Sequence, residues 1–347
     1  MRITKRSGVP LKELLGVWVK DRWRYERALR APSPAYLALA NRRERLKPAP
    51  DGIGWACHWR YTSVLHAPGV QPRLGSRLLS RCLADAPIVR CSSPSHPLAP
   101  GEIPQLSVLI GHRGEQRLPL LLATLESLAA QREVRLECLV IEQDDVPRIA
   151  CALPAWVRHV HAPPQPAGAA YNRSHTFNVG SRHARGRVLL LHDNDMLVPE
   201  RYCQRVLERI DRGFEVINPK RFVFYLDQEA SEAVLRGGAP TDGSAGMIVQ
   251  NLEAGGSMAI LADTYRAIGG MDETFVGWGG EDNEFWDRCQ TRPTWIWGYE
   301  PIVHLWHPSQ PHKLRSDNPN LIRARELMEL PAATRIASLV DRRESVS

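Results

Sequence analysis

Arg187-Val188-Leu189-Leu190-Leu191-His192-Asp193-Asn194-Asp195 decides how this chain is read. An unbroken apolar run, with no polar alternation, marks a strand buried on both faces of a parallel sheet. Here it ends abruptly in a polar cluster. Upstream the pattern recurs: Leu106-Ser107-Val108-Leu109-Ile110 ends in Gly111-His112-Arg113-Gly114, and Leu136-Glu137-Cys138-Leu139-Val140-Ile141 ends in Glu142-Gln143-Asp144-Asp145. Val157-Arg158-His159-Val160 reads as one more strand. Helical spacing over 118–130, 174–184 and 199–212 fills the intervals, with Pro199 suited to a first helical turn. Strands alternating with helices predict an α/β fold, a mostly parallel, Rossmann-like sheet with helices on both faces. Such sheets bind ligands beyond the carboxyl ends of their strands, where all three polar clusters fall.

Two carboxylates two residues apart at a strand end, Asp193 and Asp195, can reach a hard divalent cation and a ribose or phosphate. Mg²⁺ and Mn²⁺ prefer oxygen ligands of this kind, and a diphosphate completes their shell. Roughly 110 residues later, His304-Leu305-Trp306-His307 follows the candidate strand Pro301-Ile302-Val303. In an extended segment positions i and i+3 face opposite ways, and in a turn they converge. At least one of the two imidazoles is therefore expected to bind the metal.

A second constellation is Phe275-Val276-Gly277-Trp278-Gly279-Gly280-Glu281-Asp282-Asn283-Glu284-Phe285. Glycines permit positive-φ turns and close approach to a ligand. A Trp among them offers a flat apolar wall with one N–H donor. Adjacent carboxylates point different ways, so one can bind sugar while the other does acid–base work. The plainer reading is a loop followed by an acidic helix start, where carboxylates suit the helix dipole.

The 347 residues suffice for one large or two modest domains, and 43% hydrophobic with 24% charged residues is the composition of a soluble globular chain. No run reaches the roughly 18–20 apolar residues that cross a bilayer, and Met1–Arg6 is basic without a following apolar core, so neither a transmembrane segment nor a signal peptide is expected. Seven scattered Cys without a CxxC pair suggest neither a zinc ribbon nor a disulfide framework, and point to the cytoplasm. The net charge of +7 is unevenly spread. Residues 1–100 hold 18 Lys+Arg against 6 Asp+Glu, a balance of +12, and residues 101–347 hold 27 against 32, a balance of −5. A basic segment attracts an anionic membrane surface, nucleic acid or an acidic acceptor, or simply keeps the chain soluble. Within it, a helix is expected over 9–30, a strand over 61–65 and a helix over 75–83. The Pro- and Ser-rich run 91–101 reads as a linker, giving an N-terminal extension (1–100), a catalytic domain (101–330) and a C-terminal tail (331–347).

Taken as a set, the motifs of residues 104–320 resemble the GT-A catalytic domain of family 2 glycosyltransferases. They are most similar to the β1,4-galactosyltransferase and chondroitin-polymerase-like branch, with its galactosyltransferase C-terminal module. Tyr171-Asn172-Arg173-Ser174-His175-Thr176-Phe177-Asn178-Val179-Gly180 is similar to the family's Asn-Arg…Asn-x-Gly segment, and His192–Pro199 to its DxD…Pro segment. Gly255-Gly256-Ser257-Met258-Ala259 resembles the Gly-Gly loop near the donor sugar, Gly277–Asp282 the acceptor and catalytic segment, and His304–His307 the downstream metal-binding segment. Departures are Asn283, where the family is acidic, and Gly111-His112, where it has Pro and Phe.

The resemblance implies a metal-dependent inverting transfer of a Gal- or GalNAc-type hexose from a UDP-sugar to a glycan or glycoconjugate hydroxyl. It implies Mn²⁺ (or Mg²⁺) on Asp195, His307 and His304. Arg113 and Arg173 would help hold the nucleotide, Glu142, Gln143 or Asp144 would face uridine, and Asp193 would contact ribose or metal. Gly256 would lie near the donor sugar, Trp278, Gly279 and Glu281 would hold sugar, and Asp282 would be the base. The acceptor is expected to be a glycan, lipid-linked or otherwise anionic. The basic extension would make peripheral contact with an anionic membrane at the inner face of the cytoplasm. Related GT-A enzymes that retain configuration carry Trp-Gly-Gly-Glu-Asn, so Asp282 favours inversion. A retaining GalNAc-type transferase, an inactive sugar- or polyanion-binding protein, and a nucleotidyltransferase are the alternatives. The last leaves the Trp278 segment unexplained.

Overall fold

The computed structural model describes residues 9–58, 62–240, 245–250, 253, 255–308 and 317–344. Met1–Arg6 and Tyr61, named above, lie outside the described residues.

A seven-stranded sheet forms the centre, in the spatial order Thr294–Trp295, Val216–Ile217, Ser257–Leu261, Val188–His192, Leu106–His112, Leu136–Glu142, Val157–His161. The four strands read from apolar runs lie side by side and pair in parallel. Beyond them Ser257–Leu261 runs antiparallel to Val188–His192. The sequence marked this stretch only as the end of a Gly-Gly loop. Val216–Ile217 and Thr294–Trp295 have two residues each, too few to show any period.

Why the runs are unbroken is visible in the packing. Val108, Val140 and Leu190 face a cluster containing Leu121, Leu125 and Leu128 of helix Leu118–Ala129 and Val206 of helix Tyr202–Ile210. Leu109, Leu139 and Leu191 face another containing Phe177 of helix Arg173–His183 and Phe285 of helix Glu281–Cys289. Both sheet faces are covered, so the few polar residues there are paired, as where Ser107 Oγ donates to Glu137 Oε1 at 2.7 Å.

A second, five-stranded sheet runs Ser63–Val64, Met247–Gln250, Lys220–Tyr225, Glu300–His304, Met196–Leu197. Met196–Leu197 directly follows Asp195 and pairs antiparallel with Val303 and His304. Leu305 N donates to Asp195 O at 2.9 Å. This small sheet therefore brings the histidine segment to the end of the Val188–His192 strand.

The first hundred residues share a core with this second sheet. Leu65, Leu74, Leu78, Leu79 and Leu83 bury with Phe222, Phe224, Val303 and Leu305. The buried Arg221 guanidinium donates to Leu37 O at 2.7 Å and Leu39 O at 2.6 Å, tying the segment down again. The helix expected over 9–30 is two helices, Leu11–Lys20 and Arg22–Arg30. They break at Asp21, whose buried carboxylate is drawn to Arg42 at 3.0 Å. The strand expected over 61–65 is only Ser63–Val64, and the helix over 75–83 extends to Pro72–Asp85. Residues 91–101 are irregular but lie against the sheet-covering helix, with Cys91 N donating to Glu126 O at 3.0 Å.

Ala332–Glu344 is a docked helix rather than a loose tail. Its Arg335 reaches Glu284 Oε1 at 2.7 Å, and Glu284 also takes Arg288 at 2.7 Å in the interior. All seven cysteines are free thiols.

Candidate functional site

A cleft of about 560 Å³ opens at the carboxyl ends of the parallel strands. That size suits a nucleotide-sized ligand. Arg113, Arg173, Asp193, Asp195, Gly256, Trp278, Glu281, Asp282, His304 and His307 all line it. Residues far apart in sequence thus share one cavity.

Asp195, His304 and His307 offer ligand atoms that all lie within 4.8 Å of one another. His304 ends its strand, whereas His307 follows in irregular chain, which is why i and i+3 converge here. His307 Nδ1 lies 2.8 Å from Pro308 O and 3.0 Å from Arg117 Nη2, and its Nε2 lies 3.2 Å from Asp195 Oδ2. One carboxylate and two imidazoles are a donor set that fits a divalent cation. Burial alone would raise the Asp195 pKa, but His304, His307 and Arg117 outweigh it and hold the carboxyl well below the usual range.

The turn carrying Asp195 is pinned from behind. Asn194 Nδ2 lies 3.0 Å from His112 Nδ1, and His112 Nε2 lies 3.1 Å from Gly114 O. His192 is held likewise between Ser257 Oγ at 2.8 Å and Met196 O at 3.0 Å. Burial lowers the pKa of both imidazoles, keeping them neutral, as one-donor, one-acceptor struts require. The Gly255-Gly256 segment takes part through its backbone, since Gly256 O accepts from Asp193 N at 2.8 Å.

Gly277, Gly279 and Gly280 all have positive φ, between 84° and 113°. Residues with a Cβ avoid this region, so the tight loop presenting Trp278 needs glycine. Asn318 Nδ2 donates to Trp278 O at 3.1 Å and Asn320 Nδ2 to Val276 O at 2.9 Å, fastening the loop to the start of helix Pro319–Glu329. Glu281 and Asp282 then occupy the first turn of Glu281–Cys289. The helix-start reading and the cleft reading therefore hold together.

Arg173 forks between two carboxylates: Nη2 donates to Asp193 Oδ1 at 2.7 Å, and Nη1 donates to Asp282 Oδ1. Its ring neighbour is Phe177, 4.7 Å below the guanidinium. Asp282 is pushed up by burial, against the pull of Arg173 and with the help of Asp193. Glu281, buried and repelled by Asp282, is pushed up to about 7.

Four residues singled out from the sequence, Glu142, Gln143, Asp144 and Gly279, do not line the cleft. Glu142 is fully buried, with Oε1 accepting from Arg148 N at 2.7 Å and Oε2 facing His159 Nε2 at 2.6 Å, so both oxygens are engaged within the chain. Asp144 Oδ2 accepts from Gly114 N at 2.8 Å, while Gln143 Oε1 accepts from Asn172 N at 2.6 Å. Gly279 is buried and donates its N–H to Glu281 Oε2 at 3.0 Å. Asn283 is exposed on the outer face of its helix.

The sequence reading missed others. Arg117 lines the cleft, with Nη1 3.2 Å from Asp195 Oδ2 and Nη2 3.0 Å from His307 Nδ1. Tyr225 stacks on His304 at 4.3 Å between ring centroids. Lys220 is buried and donates to Ser257 O; burial pushes it down to about 7 while Asp282 and Asp193 pull the other way. Arg117 ends the single 3-10 turn Glu115–Arg117 and Lys220 begins a strand with no recognisable period, so neither carried a signal.

Residues 107–242 match the family model described as glycosyl transferase family 2, and residues 250–296 match the model described as the N-terminal domain of galactosyltransferase. No curated protein matches the chain. Among solved structures, the chain is similar to the catalytic domain of Drosophila beta1,4galactosyltransferase 7 in complex with xylobiose, at 15% identity and a TM-score of 0.40. That similarity covers 63% of this chain and 79% of the other.

Proposed function

We propose that this chain, a glycosyltransferase with a family 2 domain and a galactosyltransferase-like module, moves a Gal- or GalNAc-type hexose from a UDP-sugar to an acceptor hydroxyl with inversion. The observation that carries this reading is the sharing of one cleft by Asp195, His304 and His307 with Trp278, Glu281 and Asp282. Mn²⁺ or Mg²⁺ held by Asp195, His304 and His307 would supply positive charge to the departing diphosphate. In this reading Trp278 stacks on the acceptor sugar and Glu281 accepts its hydroxyls. Asp282 removes the proton of the attacking hydroxyl as the new glycosidic bond forms and the anomeric carbon–UDP bond breaks. A carboxylate suffices as base because the alcohol grows acidic as its oxygen bonds. Arg173 orients Asp282, and Arg113 and Arg117 are placed to meet phosphate charge.

The acceptor fitting a basic N-terminal segment is an anionic or lipid-linked glycan. Seven free thiols suit a reducing compartment, so we place the reaction in the cytoplasm at the inner membrane face.

Thermal shift against a panel of nucleotide sugars, with and without Mn²⁺, tests the donor, since ligand binding raises apparent stability. A UDP-hexose is expected to stabilise the protein only with metal. Stabilisation by UDP-sugar after full chelation would sink the role given to Asp195. Asp282→Asn should keep UDP binding and lose roughly 10²–10⁴-fold in transfer. Full activity would remove Asp282 as base. Coupling of the product's anomeric proton separates inversion from retention, and absence of transfer to any acceptor would favour a binding protein.

A further inference from the structure

We propose that the outward face of helices Leu11–Lys20 and Arg22–Arg30 is a docking surface for an anionic lipid bilayer. Leu11, Leu15, Trp18 and Val19 are 71%, 53%, 56% and 61% exposed. Their spacing, i, i+4, i+7, i+8, is a complete apolar stripe. A surface helix ordinarily turns that stripe inward. Here Val17 and Tyr25 supply the buried contacts, and the larger stripe faces out. Trp23, 58% exposed, continues it onto the second helix. The shallow groove between the helices is lined by Trp18, Val19, Trp23 and the guanidinium-bearing Arg22, Arg27 and Arg30.

The rim decides the occupant. Lys12, Lys20, Arg22, Arg27 and Arg30 are all exposed around the stripe. The acids nearby are mostly committed: Asp21 is buried beside Arg42, and Glu26 is paired with Arg77 at 2.5 Å. An apolar stripe of Leu and Trp edged with Lys and Arg is the chemistry of a helix lying in the headgroup layer, where Trp sits at the interface and basic groups meet lipid phosphates. A second copy of the chain would bring one basic rim against another. A glycan would use the Trp rings but leave Leu11, Leu15 and Val19 wet. The surface deepens the membrane placement proposed above and does not depend on the transfer chemistry.

The test is co-sedimentation of the full chain with phosphatidylcholine vesicles, alone or containing phosphatidylglycerol. Binding to the anionic vesicles only, weakened by salt, is expected. Leu15→Glu with Trp18→Glu, and separately Lys20→Glu with Arg27→Glu, should each lower vesicle affinity at least about tenfold. These side chains are exposed, so melting temperature and transfer to a soluble acceptor should not change. Unchanged vesicle binding by either variant would overturn the proposal. So would equal binding to neutral vesicles, or a wild-type dimer that the variants convert to monomer without any lipid binding. Vesicle binding without transfer would instead count against the proposed reaction alone.

Discussion

Glu281 and Asp282 serve two ends with the same carboxylates: they begin a helix and they wall the cleft. The helix dipole favours them, but burial dominates, and with Asp282 repelling Glu281 and Asp193 repelling Asp282 both pKa values are pushed up, Glu281 to about 7. A carboxyl whose folded pKa is raised contributes stability below its unfolded pKa, and this is lost as pH rises through the folded value. Glu281→Gln is therefore expected to stabilise the ligand-free protein by about 1–3 kcal/mol near pH 8, and to change little near pH 5, where the wild-type carboxyl is already protonated. Chemical denaturation at the two pH values checks this, and a gain of equal size at both would contradict it. If Asp282 is the base, kcat/KM should fall on the acid side with an apparent pKa above that of an ordinary aspartate. Arg117 poses a different residue-scale question, because its guanidinium bridges the carboxylate and imidazole proposed as metal ligands. Arg117→Ala should tighten Mn²⁺ binding to the nucleotide-free protein several-fold by removing a competing cation, while raising the KM for donor. Calorimetric titration reads the first effect, and weakened Mn²⁺ binding would show instead that Arg117 supports the ligand shell.

At the scale of elements, the strand ends show what could be read in advance and what could not. Val188–His192 and Leu106–His112 were legible because burial on both faces forces unbroken apolar runs. The Gly-Trp-Gly-Gly loop was legible because few residues other than glycine accept its backbone. Glu142 was misread as facing the cleft because sequence shows a strand's end but not the direction of its last side chain, which here turns inward to His159. Gly111, a departure from the family pattern, has a local cause. A Cβ there would come 2.1 Å from Tyr171 Oη and 2.4 Å from Thr176 Oγ1. Tyr171 O in turn accepts from Gly277 N at 2.9 Å, so this contact links the first strand to the Trp278 loop. Gly111→Ala is expected to cost about 1–3 kcal/mol through overpacking and to raise the acceptor KM. Denaturation together with steady-state kinetics checks both. A neutral substitution would mean Tyr171 can move without disturbing the loop.

At the scale of the whole molecule, the first hundred residues and the second sheet depend on each other. Helix Pro72–Asp85 packs on Met247–Gln250 and on Glu300–His304, the strand that carries one of the proposed metal ligands. Ser63–Val64 covers the free edge of Met247–Gln250, and Arg221 spends its donors on backbone carbonyls of Leu37 and Leu39. A linker-like composition at 91–101 suggested a boundary, but composition reports only the local chain, and the partners of Phe222, Phe224 and Val303 lie more than a hundred residues upstream. Removing residues 1–100 would expose those aromatic rings and leave the buried Arg221 guanidinium with only Gln250 Oε1 of its three carbonyl partners. Each fully buried large apolar side chain is worth about 1.5–3 kcal/mol, and total stabilities are only about 5–15 kcal/mol, so losing several partners should abolish cooperative folding. Residues 101–347 alone are therefore expected to show no sharp thermal transition by circular dichroism and no Mn²⁺-dependent stabilisation by UDP-sugar. The opposite outcome, a sharp transition near that of the full chain, would show that the glycosyltransferase domain folds without the segment and that the shared core is dispensable.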